Sequence, residues 1–529
     1  MFVPLTPLRC LDRAIKQFGR KTGIICGDKT FTYAQFGERC QKLATALRRA
    51  GVVKGDRVAY LSFNTHKLLE GYYGVVQAGG IVMPLNVRLS PGELVQILNH
   101  SEAVMLCLEG DFVPLVEYLR PQCPSIKHYV ALDDAALPAG IDYEQFIATG
   151  HAEPVDIMKV DENSVAELFY TSGSTGNPKG VMLTHRNLYL HALSCATTVN
   201  DPMNTVDLHT IPLFHANGWG RPQSSTLMGF KQVMVRRFDP TLVFSLIQTH
   251  KATDMSLVPT MANMLLNAAN SREYDLSSLQ VIMLGGAAAS PELVERLTDK
   301  FKCKVFAGYG LTETSPVLTM GKPKSTLTFS TDSERYRRQS MAGWPVPNVE
   351  VRVVDLNDND VPKDGQTIGE VIAQSDSVME GYYKDPETTR AVIRDGWFHT
   401  GDMAVWDEEG YIHIVDRKKE IIISGGENIS SIEVEKAIFA HPSVYECAVV
   451  AAPDERWGEV PAAIVVCKED ATLTTDELLA FLETRLGRYK LPRLIEFSAE
   501  QLPKTGTGKI RKMVLRERFW AGKVKRVQG

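Results

Sequence analysis

The sequence lacks the features that would make it a membrane protein, a disulfide-bonded scaffold or a nucleic-acid-binding protein. No apolar run approaches the roughly 20 residues that span a bilayer. Its nine cysteines are scattered without a Cys-x-x-Cys pair, which argues against a disulfide framework and against a zinc site. The net charge of −5 gives no support to a nucleic-acid partner. No secretory, peroxisomal or prenylation signal is visible either, so we expect a cytoplasmic protein.

The pattern of apolar residues predicts an α/β fold. Strand-like and helix-like segments alternate over residues 30–110 and again over 241–310, which predicts mostly parallel sheets covered by helices. Residues 133–163 are predicted to form an irregular surface connection, and from about residue 345 the pattern is β-rich. Capping signals predict helix starts at Thr32, Ser90, Thr184 and Thr474.

A length of 529 residues predicts more than one domain. Charged residues at 416–420 interrupt the apolar strands on both sides and indicate a boundary. We therefore expect a large N-terminal domain over residues 1–416 and a small C-terminal α+β domain over 417–529.

The stretch from Tyr170 to Gly180 is the most distinctive part of the sequence. It joins two strand-like segments, and its candidate ligand residues are Thr171, Ser172, Gly173, Ser174, Thr175, Gly176 and Lys179. Glycines let backbone N–H groups turn toward an anion, hydroxyls donate to phosphate oxygens, and lysine adds a mobile charge. It is not a Walker loop, because a strand-like segment and not a helix follows Lys179. The stretch predicts a polyphosphate-binding loop, with a solvated turn as the alternative.

Small residues also follow a later strand-like run. Gly285, Gly286, Ala287 and Ala288 come directly after the run 279–284. Small residues after a strand let a ligand lie against the backbone, although they are also typical of a tight turn. No three-glycine dinucleotide fingerprint is present.

Four motifs occur in order along the chain. They are Tyr170-Thr171-Ser172-Gly173-Ser174-Thr175-Gly176-Asn177-Pro178-Lys179-Gly180, Tyr309-Gly310-Leu311-Thr312-Glu313, Thr400-Gly401-Asp402, and Pro503-Lys504-Thr505-Gly506-Thr507-Gly508-Lys509. With them the chain resembles, over nearly its whole length, the adenylate-forming superfamily of acyl-CoA synthetases, firefly luciferase and the adenylation domains of peptide synthetases.

The resemblance implies ATP, Mg²⁺ and coenzyme A as ligands. Tyr309 would stack on adenine, and Asp402 and Arg417 would bind the ribose hydroxyls. The other nucleotide contacts would be the phosphate loop, Gly286, Ala287, Gly310 and Thr312. Thr171 and Glu313 would hold Mg²⁺. Lys509 would align the carboxylate with the α-phosphate, Lys419 would be the hinge, and Gly425 and Gly426 would line the coenzyme A tunnel.

The resemblance also implies an acyl pocket. His215 matches a residue at the mouth of the pocket, and Trp219 matches an aromatic residue that gates the acyl tunnel in fatty-acyl-CoA synthetases. Gly285 and Gly308 would contact the acyl group. The alternatives are a satisfied core histidine and a packing aromatic. The expected catalytic residues are Lys509, Glu313, Thr171 and His215.

The implied activity is a carboxylic acid–CoA ligase that makes an acyl-adenylate and then a thioester. The small domain would rotate between the two steps. His215-x-Asn217-x-Trp219, Gly425-Gly426-Glu427-Asn428 and Arg88-Leu89-Ser90-Pro91 resemble the fatty-acyl-CoA synthetase branch, so we expect a medium- or long-chain fatty acid or another hydrophobic acid.

Three alternatives remain open. The chain could be an aryl acid–CoA ligase, or it could pass the acyl group to a carrier protein or to oxygen, as luciferase does. A non-catalytic scaffold is the third, but it would not need Lys509, Glu313 and Asp402 together. A homodimer is also left open, because related synthetases are often dimers.

Overall fold

Sheets of mostly parallel strands with helices between them form most of the structure, a computed structural model that describes residues 2–171, 178–198, 203–418, 420–424, 427–454, 456–469, 471–504 and 510–521. Within these ranges the α-helices are α1 (Leu8–Phe18), α2 (Tyr33–Arg49), α3 (His66–Ala78), α4 (Pro91–Ser101), α5 (Val116–Gln122), α6 (Tyr143–Ala148), α7 (His185–Ala196), α8 (Ala216–Trp219), α9 (Arg221–Met228), α10 (Pro240–His250), α11 (Pro259–Asn267), α12 (Pro291–Phe301), α13 (Asp332–Ser340), α14 (Pro386–Val392), α15 (Ser431–Phe439), α16 (Thr475–Glu483) and α17 (Lys512–Trp520).

The strands in the same ranges are β1 (Thr22–Cys26), β2 (Lys29–Thr32), β3 (Arg57–Leu61), β4 (Ile81–Pro84), β5 (Met105–Leu108), β6 (His128–Ala131), β7 (Ile141–Asp142), β8 (Val165–Thr171), β9 (Lys179–Thr184), β10 (Val206–His209), β11 (Lys231–Met234), β12 (Asp254–Leu257), β13 (Val281–Leu284), β14 (Lys304–Gly310), β15 (Val317–Met320), β16 (Trp344–Pro345), β17 (Val349–Val354), β18 (Gly369–Ser375), β19 (Gly381–Tyr382), β20 (Ile393–Arg394), β21 (Trp397–Trp406), β22 (Ile412–Arg417), β23 (Ile422–Ser424), β24 (Glu427–Ile429), β25 (Val444–Asp454), β26 (Gly458–Cys467) and β27 (Leu494–Phe497).

Two large sheets carry the first part of the chain. One has the order β16-β15-β14-β13-β12-β10-β11-β1-β2 and is parallel from β14 to β1. The other has the order β19-β9-β8-β4-β3-β5-β6-β7 and is parallel from β8 to β7. The prediction of helix-covered, mostly parallel sheets is therefore confirmed.

The later sheets are shorter and largely antiparallel. One has the order β17-β18-β21-β20, with β22 beside β21. The last has the order β24-β23-β26-β25, with β27 parallel to β26, and its apolar face packs with residues of α15 and α16. This is the expected β-rich part followed by a small α+β domain.

The predicted helix starts have the expected caps. Thr32, Ser90, Thr184 and Thr474 each accept the backbone N–H three residues on, in capping boxes that satisfy amide groups left over at a helix start. The helix that each begins has an apolar face against the adjacent sheet or helices. No helix in the described ranges is both long enough and apolar enough to cross a membrane.

The prediction of an irregular connection over 133–163 was wrong in part. β7 and α6 lie inside it, and Asp142 caps α6 by accepting the Gln145 N–H at 2.9 Å. Tyr143 and Phe146 bury their aromatic rings and so stabilise α6. The prediction missed this helix because the residues around it are rich in alanine, proline and aspartate.

The residue contacts divide the chain into two compact units. Unit 1 comprises Met1–Arg352, Ile372–His399 and Glu409–Ile412, and unit 2 comprises Val353–Val371, Thr400–Glu408 and His413–Gly529. Each unit is built from several separate stretches of the chain. A domain boundary at 416/417 and a rotation about Lys419 remain predictions. Lys419 lies outside the described residues.

Candidate active site

The two ends of the predicted phosphate loop lie side by side in unit 1. Strands β8 and β9 pair antiparallel, and Thr171 is directly opposite Lys179. Both side chains are half-buried. Ser172, Gly173, Ser174, Thr175 and Gly176 lie outside the described residues. The structure therefore brings together the first hydroxyl and the lysine of the motif at the base of the β8–β9 hairpin. We call this pair of strands the phosphate hairpin, after its predicted ligand.

Glu313 is linked to this hairpin by Tyr382, a residue that was not predicted from the sequence. Tyr382 lies on β19, which pairs with the outer edge of β9, and its hydroxyl donates to Glu313 Oε1 at 2.9 Å. The Tyr382 ring centroid is 5.0 Å from Lys179 Nζ, within cation–π range. The backbone of Glu313 is also held, because its carbonyl accepts the Met379 N–H at 2.8 Å. Tyr382 thus connects the carboxylate and the lysine.

The glycine-rich strand ends lie on neighbouring parallel strands. Gly285 and Gly286 follow β13, and Gly308, Tyr309 and Gly310 end β14. In open α/β sheets, ligands bind beyond the carboxyl ends of the strands. Gly286 and Ala287 are exposed there, while Gly308 and Tyr309 are half-buried.

Gly310 occupies a place where no side chain fits. A Cβ atom would lie 1.8 Å from the Pro316 carbonyl oxygen, because β14 turns back through a 3₁₀ helix, Thr312–Thr314, into β15. This tight reversal brings Thr312 and Glu313 immediately beyond the end of β14. Any side chain at residue 310 would push the reversal open.

A strained loop carries His215 and Trp219. The backbone φ angle is positive at Ala216, Gly218, Trp219 and Gly220, with 63° at Trp219. A tryptophan in the left-handed region is a costly conformation, which the surrounding packing must maintain. The indole is 7% exposed and lies against Gly285, whose Cβ position would be 2.8 Å from the ring. His215 is half-buried and its N–H donates to the Pro212 carbonyl at 3.0 Å.

His191 fixes the far end of this loop, and no sequence motif marks it. Its Nε2 accepts the Val317 N–H at 3.0 Å, and a Cβ on Gly220 would lie 2.3 Å from its ring. Burial lowers the pKa of His191 to about 3, so the ring is neutral at physiological pH and can accept this bond.

Asp402 and Arg417 form a pair in unit 2. Arg417 Nε lies 2.5 Å from Asp402 Oδ1, and the carboxylate is buried while the guanidinium is half exposed. The Asp402 N–H donates to Thr400 Oγ1 at 3.1 Å within β21. A buried acceptor next to an exposed donor can bind a diol. Lys419, Gly425, Gly426 and Lys509 lie outside the described residues.

The segment that contains Lys509 has a closed base. Lys504 forms an isolated β-bridge with Ile510, and the Arg511 N–H donates to the Pro503 carbonyl at 2.7 Å. These contacts bring both ends of the 505–509 segment together in unit 2.

The donor set in unit 1 fits a magnesium ion held mainly by substrate phosphates. Among the described residues there is no group of three or more histidine, cysteine, aspartate or glutamate side chains that could enclose a metal. Mg²⁺ commonly uses one or two carboxylates together with phosphate oxygens and water. Glu313, with the Thr171 hydroxyl, would supply protein ligands of this kind.

These features define a class of enzyme: an adenylate-forming protein with a phosphate hairpin and motifs on parallel strand ends. The AMP-binding enzyme family matches residues 11–383, and the AMP-binding enzyme C-terminal domain matches residues 433–509. The chain therefore belongs to the AMP-binding enzyme family.

Full-length relatives are named as CoA ligases. The chain is 38% identical over 520 residues to a long-chain-fatty-acid–CoA ligase of Thermus thermophilus, covering 96% of this chain and 94% of that protein. It is 35% identical to 4-hydroxybutyrate–CoA ligase 2 of Metallosphaera sedula, over 97% and 94% of the two chains. The structure of ATP-bound MatB from Rhodopseudomonas palustris matches with a TM-score of 0.85 and 27% identity, over 98% and 99%. The prediction of an enzyme in the acid–thiol ligase class is confirmed.

Proposed function

We propose that the protein is an AMP-forming carboxylic acid–CoA ligase that acts on an acid with a mainly apolar acyl group. The observation that carries this proposal is the cluster of Lys179, Tyr382 and Glu313 at the base of the phosphate hairpin. It unites a cation for phosphate oxygens with a carboxylate for a divalent ion. The strand ends with Gly285 and Gly308 lie in the same unit.

In the first half-reaction the substrate carboxylate attacks the α-phosphorus of ATP and pyrophosphate leaves. The hairpin from Thr171 to Lys179 would hold the β- and γ-phosphates, and Thr312 would donate to the α-phosphate. Bound Mg²⁺ would neutralise part of the phosphate charge. Lys509 would lie between the two anions, where its charge offsets their repulsion. Catalysis of this kind is mainly positioning and electrostatics.

The nucleoside would be held by groups from both halves of the sequence. We propose that Tyr309 stacks on adenine next to Gly286 and Ala287, and that Asp402 accepts from the ribose hydroxyls while Arg417 donates to them. The 2.5 Å pair between Asp402 and Arg417 supports this assignment, because one diol can be bound by an acceptor and a donor that are already adjacent.

In the second half-reaction the coenzyme A thiol attacks the acyl carbonyl and AMP leaves. No protein nucleophile is required. We propose that the C-terminal domain rotates about Lys419 between the steps, which withdraws Lys509 and brings Gly425 and Gly426 to the thiol. A hinge needs only a few residues at a boundary.

The acyl group is proposed to lie between His215, Trp219, Gly285 and Gly308. The relatives' names cover long-chain fatty acids and short hydroxy acids, so they support a carboxylic acid and leave its length to experiment. The medium- or long-chain prediction therefore stands as one arm of the test. Aryl acids, such as the anthranilate in the name of one structural neighbour, are another arm.

The test is pyrophosphate release with ATP and Mg²⁺ from acetate, octanoate, palmitate and benzoate, each with and without coenzyme A. We expect release that rises with coenzyme A and yields AMP plus a thioester. Pyrophosphate release at the same rate with and without coenzyme A, with acyl-adenylate accumulating, would favour transfer to a carrier protein or another acceptor. No release from any acid, with folding intact, would refute the proposal.

We also propose a cytoplasmic location, which is supported by nine cysteines that form no disulfide in the structure. A homodimer remains a prediction, and sedimentation of the purified protein would test it.

A further inference from the structure

A small internal cavity in unit 1 lies beside Trp219, on one face of the larger sheet. Its volume is about 40 Å³. The residues that line it are Cys195, Thr198, Trp219, Arg221, Asp254, Met255, Ser256, Val281, Met283, Phe306, Val317 and Met320. The strand register explains the lining, because Ser256, Met283 and Phe306 are direct neighbours on β12, β13 and β14 and so share one face.

One end of the cavity coincides with the proposed acyl site. Trp219 lies against Gly285, at the carboxyl ends of the strands. The opposite end reaches Val281 and its neighbour Asp254, at the beginnings of β13 and β12. Val281 and Gly285 are four residue steps apart along the strand, which is about 13 Å. A chain that enters beside Trp219 would therefore point toward the first residues of these strands.

The middle of the cavity is apolar. Cys195, Phe306, Val317 and Met320 belong to one buried cluster, with Met283 packed against it. Met283 also closes the route toward Gly308, since a Cβ on that glycine would lie 2.5 Å from Met283 Cε. One water-sized position needs about 10–15 Å³ of such volume, so the cavity holds roughly three atoms of a chain. A long chain would require these side chains to move.

Polar residues line one side of the cavity, where Ser256 is level with Met283 and Asp254 is level with Val281 at the far end. Arg221 follows the Trp219 loop directly and binds Asp207 through Nε at 3.0 Å and Nη2 at 2.7 Å. These bonds do not use its Nη1 group, and 19% of its side chain is accessible. Ser256 also lines the cavity, on the same face of the sheet as Met283 and Phe306. A fatty acid has no group to bind here.

The charges on this side of the cavity favour an uncharged ligand group. Arg221 is already matched by Asp207, and Asp254 adds a second carboxylate. Among the described residues, no other arginine and no lysine lines the cavity. A second carboxylate on the substrate would therefore meet Asp254, whereas a hydroxyl could accept from Arg221 and bond to Ser256.

We propose that the substrate's acyl group is short and ends in an uncharged hydrogen-bonding group, as in an ω-hydroxy acid of about four carbons, which the Arg221 and Ser256 side of the cavity binds. This rests on the proposed CoA ligase function and narrows its substrate class. The cavity then selects against both long fatty acids and dicarboxylates.

The test compares kcat/KM for 4-hydroxybutanoate with pentanoate, which differs only in a methyl group for the hydroxyl, using coenzyme A-dependent AMP formation. Octanoate, palmitate and succinate complete the set. We expect 4-hydroxybutanoate to exceed pentanoate by about tenfold or more, because a buried polar site left unpaired by the methyl group is costly. Equal or better use of pentanoate, octanoate, palmitate or succinate would overturn the inference.

Two variants locate the effect. Ser256→Ala should reduce the hydroxyl-to-methyl ratio severalfold, while Met283→Leu, a change in the apolar lining, should keep the ratio. A ratio that survives Ser256→Ala would overturn the assignment of the polar side. If no acid supports coenzyme A-dependent AMP formation, the proposed function fails; if another acid does, only this inference fails.

Discussion

Replacing Tyr382 with phenylalanine tests the contact that joins the phosphate hairpin to Glu313. The change removes one hydroxyl, which donates to Glu313 Oε1 at 2.9 Å, and keeps the ring that lies 5.0 Å from Lys179 Nζ. A hydrogen bond to a charged group contributes about 1.5–3 kcal/mol. Glu313 is half-buried, so the lower part of this range applies.

We therefore expect Tyr382→Phe to slow acyl-adenylate formation by roughly tenfold, since about 1.4 kcal/mol corresponds to a factor of ten. The Mg²⁺ concentration for half-maximal rate should rise, because the carboxylate loses its fixed orientation. The assay is single-turnover pyrophosphate release at varied Mg²⁺. Thioester formation from a preformed acyl-adenylate should change little.

Tyr383→Phe is the matched control. It removes a hydroxyl one residue along, where the ring packs 5.7 Å from that of His100 and not against Glu313. Adenylation should be normal in this variant. An unaltered adenylation rate in Tyr382→Phe, or an equal loss of both half-reactions, would refute the view that Tyr382 positions Glu313.

Three further predictions follow from other parts of the chain. Lys509→Ala should abolish adenylation but keep thioester formation from a preformed adenylate, and Lys419→Pro should keep adenylation but abolish thioester formation. Stopped-flow assays of each half-reaction measure both effects. An equal loss of the two half-reactions in either variant would contradict a rotation about Lys419. Lys512→Met should lower the free energy of unfolding, measured in urea, by about 3 kcal/mol, because it leaves the largely buried Glu435, 2.8 Å away, without its cation. Adding Glu435→Gln should restore most of this loss. No restoration would argue against the ion pair. Burial lowers the pKa of His66 to about 3. Below about pH 6.5 the unfolded state therefore binds a proton that the folded state does not, which lowers the free energy of unfolding by about 2 kcal/mol from pH 7 to pH 5. In urea titrations at the two pH values, His66→Phe should lose about 2 kcal/mol less than the unchanged protein, while His191 keeps its own share of the loss; an equal loss would contradict this prediction.

Local patterns in the sequence predicted the parts of the fold that local chemistry decides. Thr32, Ser90, Thr184 and Thr474 cap helices as expected, because a cap depends on residues three positions apart. The phosphate loop was expected between two strands for a similar reason. These signals lie within about ten residues.

Contacts across long sequence separations could not be predicted in the same way. Tyr382 reaches Glu313 over 69 residues, and His191 reaches Val317 over 126. Neither has a periodicity or spacing that separates it from an ordinary core aromatic or histidine. The polar residues of the cavity were missed for the same reason, since Arg221 and Ser256 come to line one cavity only through the register of the strands and the turn after Trp219.

The central claim is that the substrate carboxylate attacks the α-phosphorus of ATP. The most direct measurement uses an accepted acid labelled with ¹⁸O in both carboxylate oxygens and analyses the products by mass spectrometry after complete turnover with coenzyme A. Attack by the carboxylate on the α-phosphorus should place one ¹⁸O atom in AMP and none in pyrophosphate. Label in inorganic phosphate or pyrophosphate, with unlabelled AMP or ADP, would contradict it.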